Sequence, residues 1–204
     1  MLSVRDLQTE IMRALGTAVL QTFIELGELT VIVRRTRIVE ALEALRDDSI
    51  IEMNQLMDIC AADYPARPER FEIVYQLLSV VQNARVRVKI QVGEDTPVPT
   101  ATGIYKSAGW FEREIWDMFG VPFEGHADMR RILTDTGFEG HPLRKDFPLT
   151  GFVEARYDPE KKRVVYEPVT LPQEYRVFDF ESPWQGMTSV QLQRGRPEEE
   201  EGGE

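Results

Sequence analysis

The sequence predicts an α+β protein: a mixed, mainly antiparallel sheet covered by helices, followed by a long extended C-terminal segment. Three observations carry that expectation. Residues 85–92 alternate without a break, with Val86, Val88, Ile90 and Val92 on one face and Arg85, Arg87, Lys89 and Gln91 on the other. One wet face marks a sheet covered on a single side. Two earlier stretches repeat apolar residues at helical spacing, and nine of the 14 Gly and eight of the 12 Pro lie from Gly120 onward. A patterned front thus gives way to an irregular back.

The elements follow in order. Ser3 and Asp6 are spaced as a capping box for a helix whose stripe is Val4, Leu7, Ile11 and Ala14 or Leu15, and Gly16 stops it. Residues 19–26 and 29–35 flank Gly27-Glu28, a two-residue link of the hairpin kind. Within the second run Leu29, Val31 and Val33 share a face. Thr36 is expected to cap a second helix with the stripe Ile38, Leu42 and Leu45. Residues 50–64 fit a strand or a helix equally, whereas Phe71, Ile73, Tyr75 and Leu77 alternate in a strand expected over 71–81. Ser107 is expected to cap a third helix over 109–119.

Beyond Gly120 only residues 163–166 have the character of a strand. The rest is rich in aromatics, including Phe138, Phe147, Phe152, Tyr175, Phe178, Phe180 and Trp184. An extended segment with so many large apolar groups is expected to bury them on a partner protein. The expected organisation is a compact domain at 1–119, a partner-wrapping segment at 120–186 and an acidic flexible tail at 187–204.

Composition excludes several functions. The chain has 204 residues, 42% of them hydrophobic and 29% charged, enough to bury a core. No apolar run approaches the ~18 residues that a membrane-spanning helix needs, so membrane contact is expected only through partners. The net charge of −11 repels phosphate backbones, and nucleic acid is not an expected partner. The single cysteine, Cys60, rules out four-cysteine zinc or iron–sulfur sites held by this chain alone. It is expected to be a small buried hydrophobe. Neither a dinucleotide fingerprint nor a phosphate-binding loop occurs. The first residues carry Asp6 and Glu10 and lack an apolar core, unlike an export signal or transit peptide. A cytosolic or cytosol-facing place is expected.

The candidate site centres on 111-FEREIWDMFG-120. Phe111, Ile115, Met118 and Phe119 form an apolar face, while Glu112, Glu114 and Asp117 place three carboxylates within two turns. Their functional reading is an acid/base pair or a metal seat; their structural reading is ion pairing with arginines such as Arg130, Arg131 or Arg144. His126, Asp128, His141 and Asp146 form the one conceivable metal constellation, the basis of a competing reading as a free-standing metal-dependent hydrolase. Taken alone, the residues suggest one component of a larger assembly, without a self-contained active site.

Glu112, Arg113 and Glu114, then Asp117-Met118-Phe119, then His126, Arg130, Ile132 and Leu133 resemble the signature of the 30 kDa subunit family, the C-type subunit of respiratory complex I (NADH:quinone oxidoreductase). The resemblance continues through 131-RILTDTGFEGHPLRKDFPLTG-151, 164-VVYEPVTLPQEYR-176 and 177-VFDFESPWQG-186. It implies a cofactor-free scaffold subunit, with no catalytic, cofactor-binding or metal-binding residue of its own. FMN and iron–sulfur clusters would sit in partner subunits. The implied partners are the iron–sulfur subunits of the peripheral arm and the D-type subunit, which bears the quinone site, at the cytoplasmic face of a bacterial inner membrane. Carried onto this sequence, the resemblance makes Glu112, Arg113, Glu114, Asp117, His126 and His141 motif residues. Arg130, Arg131, Arg144, Lys145 and Asp146 would dock the extension, and Phe147, Tyr175, Phe178, Phe180 and Trp184 would anchor it. Homologous subunits of membrane-bound hydrogenases share the ERE and RKDFPL elements and form a second alternative.

Overall fold

The computed structural model describes residues 2–173. The chain divides into two units, Met1–Phe152 and Val153–Glu204. In the first, the helices are α1 (Val4–Leu15), α2 (Ile38–Asp47) and α3 (Ala108–Phe119). The long strands are β1 (Val19–Glu25), β2 (Glu28–Val33), β3 (Gln55–Asp63), β4 (Phe71–Ser79) and β5 (Ala84–Val92), in the spatial order β1-β2-β5-β4-β3. β2 and β5 are parallel, and every other neighbouring pair is antiparallel. The α+β class and the mixed, mainly antiparallel sheet agree with the expectation.

Register explains where the core sits. Val31 is opposite Val88, Val88 opposite Tyr75, and Tyr75 opposite Ile59. Paired residues share a face, so this row runs across four strands on one side of the sheet. All four side chains are at most 1% exposed. Leu7, Ile11 and Leu15 of α1, Leu42 and Leu45 of α2, and Ile115 and Met118 of α3 join the same cluster. The opposite face holds Arg85, Arg87, Lys89 and Gln91 in β5, none of them buried. Lys89 pairs there with Glu72 at 2.7 Å, and Arg87 with Glu28 at 2.7 Å.

Local chemistry sets the element ends. Ser3 and Asp6 form the capping box on α1, with Asp6 N–H donating to Ser3 Oγ and Ser3 N–H to Asp6 Oδ2, both at 3.2 Å. The β1–β2 turn is Leu26-Gly27, one residue earlier than expected, and both have positive φ (50° and 81°). That is the backbone a two-residue primed hairpin turn needs.

Several expectations are corrected. Thr36 does not cap α2. It lies within a single 3₁₀ turn, Arg35–Arg37, and α2 starts after Arg37 without a side-chain cap. Ser107 stands at the N-cap of α3, but its backbone is already helical (φ −67°, ψ −23°) and it makes no capping bond. A cap needs an extended residue there. Residues 55–63 are a strand. Cys60 is exposed, because Ile59 takes the core face and Cys60, opposite Val74, takes the face that carries Lys89.

The second unit contains a hairpin, β8 (Val153–Asp158) and β9 (Arg163–Pro168). Only the second of these strands has a counterpart in the expectation. Tyr175, Phe178, Phe180 and Trp184 lie outside the described residues.

Among the described residues, Tyr75 Oη is the one buried side-chain polar atom without a partner. An orphaned hydroxyl costs desolvation with nothing in return. Tyr75→Phe is expected to raise unfolding stability by about 1 kcal/mol, read by urea denaturation. A loss instead would mean that ordered water satisfies the hydroxyl.

Candidate functional site

The site grows from the two ends of α3. Ahead of it, the short strand β6 (Val98–Pro99) pairs in parallel with β7 (Phe123–Glu124), which follows the helix. Val98 N–H donates to Pro122 O and Thr100 N–H to Glu124 O, each at 2.9 Å. Helix α3 is therefore a closed loop on a two-stranded base. Residues 100–102 are brought beneath Glu112, which has no exposed surface. Its carboxylate accepts from Ala101 N–H at 2.7 Å and from Thr100 Oγ1 at 2.6 Å. Burial pushes the Glu112 carboxyl above its ordinary value, against the pull of those two donors and of His126.

His126 stands beside it, with Nε2 at 3.9 Å from Glu112 Oε2. Asp128 N–H donates to His126 Nδ1 at 3.0 Å, so the ring proton is on Nε2, which faces Gly109 O at 3.2 Å. His126 thus joins the start of α3 to the loop after β7.

The C-terminal end is tied more tightly. A helix leaves its last four carbonyls without partners, and here all four are met. Trp116 O accepts from Gly120 N–H, and Asp117 O faces His141 Nδ1 at 3.0 Å. Met118 O accepts from Leu143 N–H at 3.1 Å, and Phe119 O from Arg144 Nε at 2.5 Å. Residues 141–144 are in effect an external cap. Gly120 permits it twice over: its φ of +76° is left-handed, and a Cβ there would lie 2.5 Å from the His141 ring. Burial holds the His141 imidazole below its ordinary pKa, which keeps it neutral with the proton on Nδ1. Its ring also meets Trp116 edge-on at 5.6 Å.

Asp117, like Glu112, has no exposed surface. Its Oδ2 accepts three consecutive backbone N–H groups, from Ile132 (3.0 Å), Leu133 (2.7 Å) and Thr134 (2.9 Å). Its Oδ1 accepts from Thr134 Oγ1 at 2.5 Å and Arg131 Nη1 at 2.8 Å. Such a run of N–H groups is an anion-binding concavity. Burial alone would raise the Asp117 carboxyl, but these donors outweigh it and hold the group well below the usual carboxylate range. Arg131 continues to Gly140 O at 3.0 Å, and Arg113 holds Arg130 O and Arg131 O at 2.9 and 3.1 Å.

A second knot joins the loop to the sheet. Arg70 forks onto Asp63 at 2.7 and 2.8 Å and reaches Asp146 at 2.8 Å, while Lys145 N–H donates to Asp63 Oδ2 at 2.7 Å. Sequence reasoning does not reach Asp63 and Arg70. The signal available was an aspartate and an arginine bracketing a short turn between two strand-like runs. Of the expected ion pairs on α3, Asp117–Arg131 forms. Among the described residues Glu112 has no arginine partner, Arg130 pairs with Asp128, and Arg144 with Glu94. Glu114 is exposed. Phe147 stacks on Phe138 (5.9 Å between centroids) and meets Phe152 edge-on (5.6 Å). The supposed metal set does not converge: His126, Asp128, His141 and Asp146 each serve a different partner, and among the described residues no three His, Cys, Asp or Glu side chains come together as a metal seat.

A family model described as respiratory-chain NADH dehydrogenase, 30 Kd subunit, matches residues 31–153, which include α3 and the whole loop tied to it. The chain belongs to this family. The C subunit of NADH-quinone oxidoreductase from Paramagnetospirillum magneticum is 56% identical over 185 residues, 90% of this chain and 93% of that one. Its counterpart from Rhodospirillum rubrum is 54% identical over 198 residues, 97% and 92% of the two chains. Among solved structures, a chain of the membrane-bound sulfane sulfur reductase, an archaeal respiratory membrane complex, superposes with a TM-score of 0.61 at 27% identity, covering 71% of this chain and 85% of that one. The family's match thus spans the whole network of buried carboxylates and caps.

The two carboxylates have opposite signatures. Asp117 has a folded-state pKa below its unfolded value of about 3.9, so its stabilisation is complete above that pH and is lost as the pH falls toward the folded value. Asp117→Asn, which strands Arg131 and part of the N–H run, is expected to cost about 3 kcal/mol at pH 7 and to flatten the acid limb of stability against pH. Glu112 is raised, so stability is complete below its unfolded value of about 4.3 and declines as the pH rises through the folded one. Glu112→Gln keeps an acceptor for Ala101 N–H without the buried charge. It is expected to be more stable at pH 7 by about 1 kcal/mol and no more stable near pH 4, measured by urea unfolding at both pH values.

Proposed function

We propose that this chain is a cofactor-free scaffold subunit of a proton-translocating NADH:quinone oxidoreductase. It would pack on iron–sulfur subunits of the peripheral arm and on the D-type, quinone-site subunit, with FMN and the clusters held by its partners. Its place would be peripheral, at the cytoplasmic face of a bacterial inner membrane. The observation that carries the reading is the near full-length identity, 53–56%, to relatives named as the C subunit of NADH-quinone oxidoreductase. The absence of a long apolar helix among the described residues is compatible with a peripheral position.

The site geometry supports a positioning role. A group that does acid/base chemistry must reach a substrate proton, whereas Asp117 spends both oxygens on protein donors and Glu112 is enclosed. Electron transfer and quinone docking tolerate little displacement, so a rigid cofactor-free element can govern activity without touching a cofactor. The hydrogenase-type alternative rests on the shared ERE and RKDFPL elements alone; the archaeal neighbour is a sulfane sulfur reductase, at half the sequence identity of the NADH-quinone oxidoreductase relatives.

The test is mild detergent extraction of bacterial membranes carrying a tagged copy, followed by mass spectrometry of what co-purifies. The expected result is recovery of flavin and iron–sulfur subunits together with NADH:quinone activity. A nickel-bearing partner would move the chain to the hydrogenase branch, and a lone soluble protein would refute the subunit reading.

A further inference from the structure

The register of the β8–β9 hairpin sorts its side chains onto two unlike faces. Val153 is opposite Pro168, Ala155 opposite Tyr166, and Tyr157 opposite Val164. Paired residues share a face, so this one is apolar throughout. The alternate pairs, Glu154 with Glu167, Arg156 with Val165 and Asp158 with Arg163, give the other face its charge. Yet the apolar face is the open one: Tyr157 is 60% exposed, Tyr166 58%, and Val153 and Val164 56% each. A two-stranded hairpin is marginal in water without a layer packed on it.

We propose that the Tyr157/Tyr166 face docks onto a protein other than this chain, on an apolar patch bordered by hydrogen-bonding groups for the two tyrosine hydroxyls. The inference rests on the subunit reading above and adds which face makes the contact. Area and charge select the occupant. The exposed side chains offer on the order of 500 Å², the size of a functional surface patch. Two copies meeting through it would bury about 1,000 Å² in all, short of the roughly 1,200–2,000 Å² of a stable pair. A larger foreign surface, of which this face covers part, meets the requirement. Residues 153–168 carry four acids and four bases, so no net charge draws the hairpin to an anionic lipid surface. Tyrosine suits a protein contact, with its ring buried and its hydroxyl at the rim.

The test places the photo-cross-linker p-benzoyl-phenylalanine at position 157 or 166 of the tagged full-length chain in bacterial membranes. Positions 156 and 163, exposed on the opposite face, are the controls. After irradiation, adducts are purified under denaturing conditions and identified by mass spectrometry. Positions 157 and 166 are expected to give at least tenfold more adduct than the controls, to one foreign polypeptide of the co-purifying complex. Adducts to lipid, to a second copy or within the chain, equal yields from both faces, or no adduct overturn the proposal. A complex recovered with 157 and 166 unlinked refutes the docking face and leaves the subunit reading intact. One foreign adduct without flavin and iron–sulfur subunits does the reverse. Tyr157→Ser with Tyr166→Ser is expected to lower retention of the chain in the complex at least tenfold, while Arg156→Ser with Arg163→Ser leaves it unchanged.

Discussion

A carboxylate with no exposed surface must either be supplied with donors or give up its charge. Asp117 is supplied with five: three successive N–H groups, one hydroxyl and one guanidinium. That arrangement fixes the direction in which the chain leaves β7 and returns past the end of α3. With residues 131–134 held there, Arg131 reaches Gly140 O, and residues 141–144 fall where the last carbonyls of α3 need partners. The loop has little regular structure of its own, and its order comes from serving the helix. Gly120 lets the cap come close, since any side chain at that position would occupy the space of the His141 ring.

Glu112 does the corresponding work at the other end with fewer donors. Positions 112 and 117 are five residues apart, which at about 100° per residue puts them on different flanks of the helix. One flank therefore grips residues 100–101 and the other grips residues 131–134. The proton affinities diverge because of donor number. Two donors do not offset the burial of Glu112, and five more than offset that of Asp117. The same residue class within two turns becomes a reluctant acid on one side and a permanent anion on the other.

Much of the fold was legible because period and burial coincide. The alternation in residues 85–92 and the stripe Leu7, Ile11, Leu15 both lie in the core where pattern placed them. The parallel pairing of β2 with β5 was less accessible, since it depends on a crossover through α2, β3 and β4 that no local pattern encodes. Caps failed where the chain enters a helix through another turn: Thr36 and Ser107 have the right chemistry but the wrong backbone. At the site, Asp117–Arg131 could be guessed from charge and nearness in sequence. The Arg70–Asp63–Asp146 knot joins residues 76 positions apart, and no periodicity reports such a meeting. The burial of Glu112 was hidden for a similar reason: its partners are a hydroxyl and a backbone N–H, which carry no charge to match.

The two units meet opposite physical demands. Around α3 the buried carboxylates and each of the last four carbonyls of the helix are satisfied by the chain itself. In the hairpin the apolar side chains of one face remain exposed, and nothing within two short strands can cover both sides of a sheet. Under the proposed subunit role, a saturated site would hold position and an uncovered hairpin face would be held. Its influence on chemistry would then pass through geometry, with the buried ion pairs setting the shape presented to its neighbours and the tyrosine face setting where that shape is attached.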